Sequence, residues 1–253
     1  MSDLYPVKPE FAAKARIGKA DYQRLYRESV EDPEGFWRKA AERLDWYRKP
    51  TVIKDVSYDL DDFRIRWFAD GELNVSVNCL DRQLATRGDK VALVFEPDSP
   101  DTPAQKVTYR ELYERVCRLA NALRNLGVAK GDRVTLYMPM IPDTVVAMLA
   151  CARIGAIHSV VFGGFASHSL ASRIDDAEPT VVVSADAGMR SGKVVAYKPL
   201  LDEAIKLAKH KPARVLLVNR GLSAMETTEG RDVDYTSMRA KHLNTVVPCV
   251  WVD

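Results

Sequence analysis

From about residue 89 onward, the sequence predicts an α/β fold, an open and mostly parallel β-sheet with helices on both faces. Two observations support this: short apolar runs alternate with longer segments of helical periodicity, and only short turns separate them. Strands joined through helices pair in parallel with right-handed crossovers, and helices then cover both faces of the sheet. The order of the strands does not follow from this pattern.

Five apolar runs are predicted to form the strands. Val91 to Phe95 is continuously apolar, as expected of a strand covered on both faces. The other predicted strands cover residues 134–137, 157–162, 180–184 and 215–218.

The helices between these strands carry start and stop signals. Thr108 and Glu111 form a Thr-x-x-Glu capping box, and Gly127 is placed to end that helix. The buried stripe of this helix is predicted to contain Leu112, Val116, Leu119, Leu123 and Leu126. Further helices are predicted over Pro142 to Ile154, closed by Gly155, over a short segment capped by Ser167, and over residues 198–209.

Residues 1–88 lack this alternation and are predicted to be an N-terminal extension that wraps onto an α/β subdomain of residues 89–253. Asp32 and Pro33 predict a helix start, with Asp32 as the cap. The apolar face of this helix is predicted to contain Phe36, Trp37, Ala40, Ala41 and Leu44.

Two further apolar segments are predicted to be strands. Phe63, Ile65 and Trp67 alternate with arginines, which is typical of a half-exposed strand. Residues 246–252 are again apolar, and a domain rarely ends at an apolar strand. We therefore expect the α/β subdomain to be incomplete at this point.

Composition favours a cytoplasmic protein. The 37 basic and 35 acidic side chains leave a net charge of +2, which gives no reason to expect nucleic acid or a membrane as partner. No uncharged apolar run approaches the roughly 18 residues of a membrane span, and residues 1–19 lack the apolar core of a signal peptide. The scattered cysteines favour free thiols over a metal or redox pair; they are Cys79, Cys117, Cys151 and Cys249.

The first candidate ligand-binding segment is Phe162-Gly163-Gly164, which directly follows a predicted strand. Ligands of open parallel sheets bind beyond the carboxyl ends of the strands. The glycines let backbone approach a ligand closely, and the N-terminus of the following helix favours an anion. A tight strand-to-helix turn without a ligand is the alternative.

The second candidate is Gly-Met-Arg-Ser-Gly-Lys at residues 188–193. Three residues separate its glycines where a P-loop has four, and Val194 stands where a P-loop has Ser or Thr, so it is not a P-loop. We expect a flexible loop that presents Arg190 and Lys193, two cations suited to a phosphate monoester. A solvated charged loop is the alternative. The sequence shows no paired carboxylates, catalytic triad or metal-ligand cluster, so no catalytic or metal residue is predicted.

Several longer motifs carry a family resemblance. They include Asn78-Cys-Leu-Asp-Arg82, Val107-Thr-Tyr-Arg-Glu-Leu112, Gly131-Asp-Arg-Val134 and the block from Ala147 to Phe165. They resemble the AMP-forming short-chain acyl-CoA synthetases, the acetate and propionate branch of the adenylate-forming superfamily. The front of the chain looks more like acetyl-CoA synthetases, whereas residues 173–177, 197–205 and 230–234 look more like propionyl-CoA synthetases.

The resemblance implies a ligase that joins a carboxylate to ATP with Mg²⁺ and transfers the acyl group to CoA. It implies that the chain is the first part of the large adenylation domain. The nucleotide loop, acid pocket, magnesium-linked carboxylate and catalytic lysine are then expected after Asp253, so these 253 residues should be inactive alone. The implied CoA-binding residues are Phe162, Gly163, Gly164, Arg190, Ser191, Gly192 and Lys193.

The resemblance leaves the preferred acid open. Acetate is favoured as the commoner assignment for such sequences, and propionate is the alternative. A non-catalytic CoA- or nucleotide-binding module is the alternative from another class.

Overall fold

The computed structural model describes residues 5–241 and 246–252, and the chain divides into two compact units. One unit ends at Glu72, and the other spans Leu73–Val252 and contains the parallel sheet.

Residues 73–88 lie in the same compact unit as the parallel sheet. The extension predicted from the sequence covers residues 1–88, and the compact unit that contains the sheet begins at Leu73. Asn74 shows the reason, because its side-chain amide donates hydrogen bonds of 2.7 Å to the carbonyl oxygens of Ala152 and Val250.

The first unit combines short helices with a small antiparallel sheet. Its elements are α1 (Pro9–Lys14), α2 (Lys19–Glu31), α3 (Pro33–Ala41), β1 (Lys54–Ser57) and β2 (Arg64–Trp67). The predicted start of α3 is confirmed, since the Asp32 carboxylate accepts a 3.0 Å hydrogen bond from the Gly35 N–H. The predicted apolar face was too long, because the helix ends before Leu44. Strand β2 is confirmed, and it pairs with β1, which was not predicted.

The second unit begins with short helices and a β-hairpin. These elements are α4 (Val75–Cys79), a 3₁₀ turn (Asp81–Gln83), α5 (Leu84–Arg87), β3 (Val91–Phe95), β4 (Gln105–Thr108) and α6 (Tyr109–Asn125). Strands and helices then follow as β5 (Arg133–Met138), α7 (Pro142–Arg153), β6 (Ile157–Phe162), α8 (Ser167–Ala177), β7 (Val181–Ala185), β8 (Ala187–Arg190), β9 (Lys193–Ala196), α9 (Tyr197–Leu207), β10 (Arg214–Val218), β11 (Asp232–Asp234) and α10 (Tyr235–Ala240).

Five strands form an open sheet in the order β11-β10-β7-β5-β6, and every neighbouring pair is parallel. The predicted fold class is therefore confirmed. Helices cover both faces, since α6, α7 and α10 pack on one face and α8 and α9 on the other. The side chains of β5 show the alternation, with Leu136 in the first core and Tyr137 in the second.

One strand was assigned to the wrong sheet. Val91–Phe95 pairs antiparallel with β4 and lies outside the parallel sheet. Val94 is 58% exposed, so the strand is not covered on both faces. No helix separates β3 from β4, and without a crossover the chain forms a hairpin. The fifth parallel strand is instead β11, which is too short and polar to stand out in the sequence.

Two local predictions were also wrong. Ser167 is the first residue of α8 and does not cap it; the cap position is Ala166, without a side-chain hydrogen bond. The apolar segment 246–252 forms no extended strand, because Val252 makes a single bridge to Leu73. By contrast, the capping box that begins α6 is confirmed.

Within the described residues, no helix is long and apolar enough to cross a membrane. All four cysteines are free thiols.

Candidate functional site

A cavity with a volume of about 710 Å³ lies at the carboxyl ends of four parallel strands. Its walls include Met140 after β5, Phe162 at the end of β6, Met189 beyond β7 and Arg220 after β10. Strand β6 lies on one side of β5 and β7 on the other, so the strand order reverses here. Ligands of open α/β sheets bind at such a switch point.

The glycine turn after β6 lies on one wall of this cavity. The Tyr137 hydroxyl is 3.4 Å from the carbonyl oxygen of Gly163 and 3.2 Å from that of Phe165, which holds the turn in place. A Cβ on Gly163 would overlap the Tyr197 phenol, and one on Gly164 would lie 2.7 Å from Arg190 Nη1. The glycines therefore give room to two neighbouring side chains as well as to a ligand.

The segment predicted to be a flexible loop is a β-hairpin. Strands β8 and β9 are antiparallel and pair Arg190 with Lys193, and a two-residue turn connects them. Both turn residues have positive φ, 50° at Ser191 and 72° at Gly192. This is the geometry of a type I′ turn, whose twist matches that of the flanking strands. The hairpin gives Arg190 a defined place that a loose loop would not.

The structure brings together part of the predicted set. Phe162, Gly163, Gly164 and Arg190 all line the cavity, and the Arg190 guanidinium lies 5.5 Å from the centre of the Phe162 ring. The other three predicted residues are exposed in or beside the hairpin turn and do not line the cavity; they are Ser191, Gly192 and Lys193.

Two side chains that the sequence analysis missed line the same cavity. Tyr197 is buried, and Arg220 lies half-buried two residues after the end of β10. Arg220 Nη1 donates a 3.1 Å hydrogen bond to the Ala187 carbonyl oxygen. Arg220 could have been predicted from the sequence, because it comes shortly after the carboxyl end of a predicted strand, where ligands of open sheets bind. Tyr197 had none, since it opens a helix with no local motif.

Burial and the two arginines shift the pKa of the Tyr197 hydroxyl in opposite directions. Burial raises the pKa of Tyr197, while the charges of Arg220 and Arg190 counteract part of that rise. Burial also raises the pKa of Tyr137 to about 12. Both phenols are therefore neutral hydrogen-bond donors at physiological pH.

Comparison with known proteins assigns the fold to a family. The sequence profile described as AMP-binding enzyme matches residues 80–246. The chain belongs to the AMP-binding enzyme family. The profile described as acetyl-coenzyme A synthetase N-terminus matches residues 22–79.

The relatives of this chain include named synthetases. It is 64% identical over 220 residues to the acetyl-coenzyme A synthetase of Xanthomonas campestris pv. campestris (strain 8004), covering 87% of this chain and 34% of the relative. It is 62% identical over 233 residues to that of Xanthomonas axonopodis pv. citri, covering 92% and 36%. The acetoacetyl-CoA synthetase from Streptomyces lividans superimposes with a TM-score of 0.80 at 26% identity, covering 96% of this chain and 36% of that structure. The chain thus spans about a third of the length of the curated relatives it matches.

The Mg²⁺ that the family resemblance implies finds no ligand set here. Among residues 5–241 and 246–252, no three His, Cys, Asp or Glu side chains group closely enough to hold a metal ion. His158, which lies in β6, is half-buried, and burial lowers its pKa.

Proposed function

We propose that this chain is the N-terminal part of an AMP-forming acetate–CoA ligase, which makes acetyl-CoA from acetate, ATP and CoA through an acetyl-adenylate. The support is the match to two acetyl-coenzyme A synthetases at 62–64% identity together with the match to the N-terminal profile of that enzyme. The 253 residues alone are expected to be inactive, since the relatives are about three times as long.

Within this ligase, we propose that the chain supplies one wall of the CoA site. The observation that carries this is the approach of Arg190 to the Phe162–Gly164 turn at the cavity edge. Arg190 pairs with no carboxylate among the described residues, so its guanidinium is available to a phosphate group. The two glycines carry no side chain that would keep a long, narrow ligand from the backbone. Lys193 lies across the hairpin from Arg190 and adds a second, exposed cation nearby.

The chain's own residues then bind and orient CoA and take no part in adenylate formation. This separates the two half-reactions. Replacing Arg190 removes one charge-assisted hydrogen bond, which contributes about 1.5–3 kcal/mol. The KM for CoA should therefore rise at least about tenfold, while acetyl-adenylate formation stays unchanged.

The test uses this chain joined to the remaining two-thirds of the Xanthomonas campestris relative. Arg190→Ala and Arg214→Ala are compared in acetate-dependent pyrophosphate exchange and in thioester formation. Arg214 is an exposed arginine at the start of β10, and its replacement should change neither rate. An equal loss in both half-reactions for Arg190→Ala would refute its assignment to CoA.

The acid is tested on the natural gene product, because the acid pocket is expected outside this chain. We expect a higher kcat/KM for acetate than for propionate. The reverse order would favour the propionate ligase. A gene product that binds CoA but forms no adenylate with either acid would favour the non-catalytic module.

A further inference from the structure

Two arginines without carboxylate partners face the same cavity. Arg190 lies against the Phe162 ring, and Arg220 donates from one nitrogen to a backbone carbonyl. Within the described residues, neither guanidinium forms an ion pair. Arg190 is exposed and Arg220 is half-buried. Two like charges on one cavity wall repel each other, and a bound anion removes that cost.

A buried carboxylate fixes Arg220 without neutralising it. Asp186 is fully buried, and its oxygens accept hydrogen bonds from three backbone N–H groups of the segment that follows β10. The donors are Arg220 at 3.1 Å, Leu222 at 2.8 Å and Ser223 at 3.2 Å. Asp186 thus sets the backbone from which the Arg220 side chain enters the cavity.

The Tyr197 hydroxyl lies on the same wall. Gly163 and Gly188 make room for it, since a Cβ on Gly188 would lie 2.7 Å from the hydroxyl oxygen. The ring rests on Tyr137, with centroids 5.0 Å apart. The hydroxyl has no hydrogen-bond partner among the described residues, so it can donate to a ligand.

The negative charges of the cavity come from another element. Glu96 and Asp98 follow β3 and are exposed. They lower the net charge of the cavity as a whole, and neither pairs with Arg190 or Arg220 in the described structure. The positive potential is therefore concentrated on the wall that carries both arginines and the Tyr197 hydroxyl.

CoA carries phosphate at two places, a 3′-phosphate on the ribose and a 5′-diphosphate. Building on the proposed CoA site, we propose that Arg220 and the Tyr197 hydroxyl bind the diphosphate, while Arg190 binds the 3′-phosphate. Asp186 acts as a positioning residue for Arg220. A diphosphate offers the oxygen acceptors that match a guanidinium and a neutral phenol.

The test compares CoA with dephospho-CoA, which lacks the 3′-phosphate, in calorimetric titrations of this chain joined to the remaining two-thirds of the Xanthomonas campestris relative. Arg220→Ala should raise the Kd of both ligands by the same factor, about tenfold or more. Tyr197→Phe keeps the ring packing and should raise both by a smaller common factor. Arg190→Ala should raise the Kd of CoA alone. Arg214→Ala, at the opposite end of β10, should change neither.

The outcomes separate this inference from the proposed function. If Arg220→Ala behaves like Arg214→Ala while Arg190→Ala weakens CoA, the diphosphate assignment is overturned and the CoA site stands. If Arg220→Ala weakens CoA but not dephospho-CoA, Arg220 binds the 3′-phosphate and the assignment also fails. If neither ligand binds the wild-type joined protein, both proposals fail. Arg220→Lys, which keeps the charge and loses the planar fork, should lie between wild type and Arg220→Ala if the variant is folded and the contact is direct.

Discussion

Replacing Asp81 with alanine should destabilise the sheet-bearing unit more than any exposed charge replacement. Asp81 forms a bidentate ion pair with Arg153, with nitrogen–oxygen distances of 2.8 and 3.0 Å. The Arg153 side chain is only 2% exposed. Although burial disfavours the charged guanidinium, the hydrogen bond to Asp81 raises the pKa of Arg153 above its ordinary value. Removing Asp81 leaves this charge buried without a counter-ion.

The expected magnitude follows from what remains around Arg153. Its Nε still donates a 2.6 Å hydrogen bond to the Val247 carbonyl oxygen, and its guanidinium lies 4.9 Å from the centre of the Tyr113 ring. Breaking a buried pair costs about 3–5 kcal/mol, and the 28% exposure of Asp81 favours the lower end, about 3 kcal/mol. For a unit of this size, that lowers the Tm by about 6–12 °C.

The assay is thermal and urea unfolding followed by far-UV circular dichroism. Glu28→Ala is the control, because it breaks the exposed Arg24–Glu28 pair and should cost less than about 0.5 kcal/mol. The double variant Asp81→Ala/Arg153→Met should recover part of the lost stability, since no charge is then left buried. If Asp81→Ala unfolds like Glu28→Ala, or if the two single losses simply add, the buried charge is not the cause.

Three further predictions concern single positions. Gly163→Ala should lower stability by about 1–3 kcal/mol through overlap with Tyr197, and Gly163→Ala/Tyr197→Ala should lose less than the sum of the single losses in urea unfolding. Gly192→Ala should cost about 1–2 kcal/mol, because its φ of +72° strains any residue with a Cβ although nothing crowds it; an unchanged urea midpoint would contradict this. Burial disfavours the Asp232 carboxylate, but the hydrogen bond from Arg231 and the charge of Lys198 hold its pKa below the ordinary 3.8. The stabilisation from Asp232 should therefore be complete above that pH and be lost as the pH falls through its folded-state value, so Asp232→Asn should flatten the acid limb of a stability–pH curve.

Sequence periodicity predicted the parallel sheet because four of its strands are apolar runs between helices, although the edge strand β6 is largely exposed. The prediction failed for strands whose burial does not match their composition. Val91–Phe95 has the composition of a central strand yet is exposed in a hairpin. Asp232–Asp234 contains two acidic residues yet pairs with β10 in the parallel sheet. In β11 the Asp232 side chain is fully buried because Lys198 and Arg231 neutralise it. A pairing between distant ionic side chains leaves no local signal in the sequence.

The candidate site was predicted where a local motif existed and missed where it depends on distant contacts. The glycine turn and Arg190 follow strands and stand out by residue type. The hairpin could have been predicted from Ser191-Gly192, because a Ser-Gly dipeptide marks a turn and glycine readily adopts a positive φ. Arg220 depends on Asp186, which lies 34 residues earlier. The contact that orients Arg220 exists only once β7 and β10 have paired.

The near-neutral composition conceals local differences in charge, because several acids of the sheet-bearing unit have backbone or basic partners of their own. Asp186 accepts from three backbone N–H groups, and Asp175 accepts from those of Lys209 and His210. Asp232 is neutralised by basic side chains on its own side of the sheet. None of these carboxylates pairs with Arg190 or Arg220 in the described structure. A net charge of +2 therefore says little about the cavity. The local charge depends on which carboxylates are bound by backbone N–H groups elsewhere and which face the two arginines.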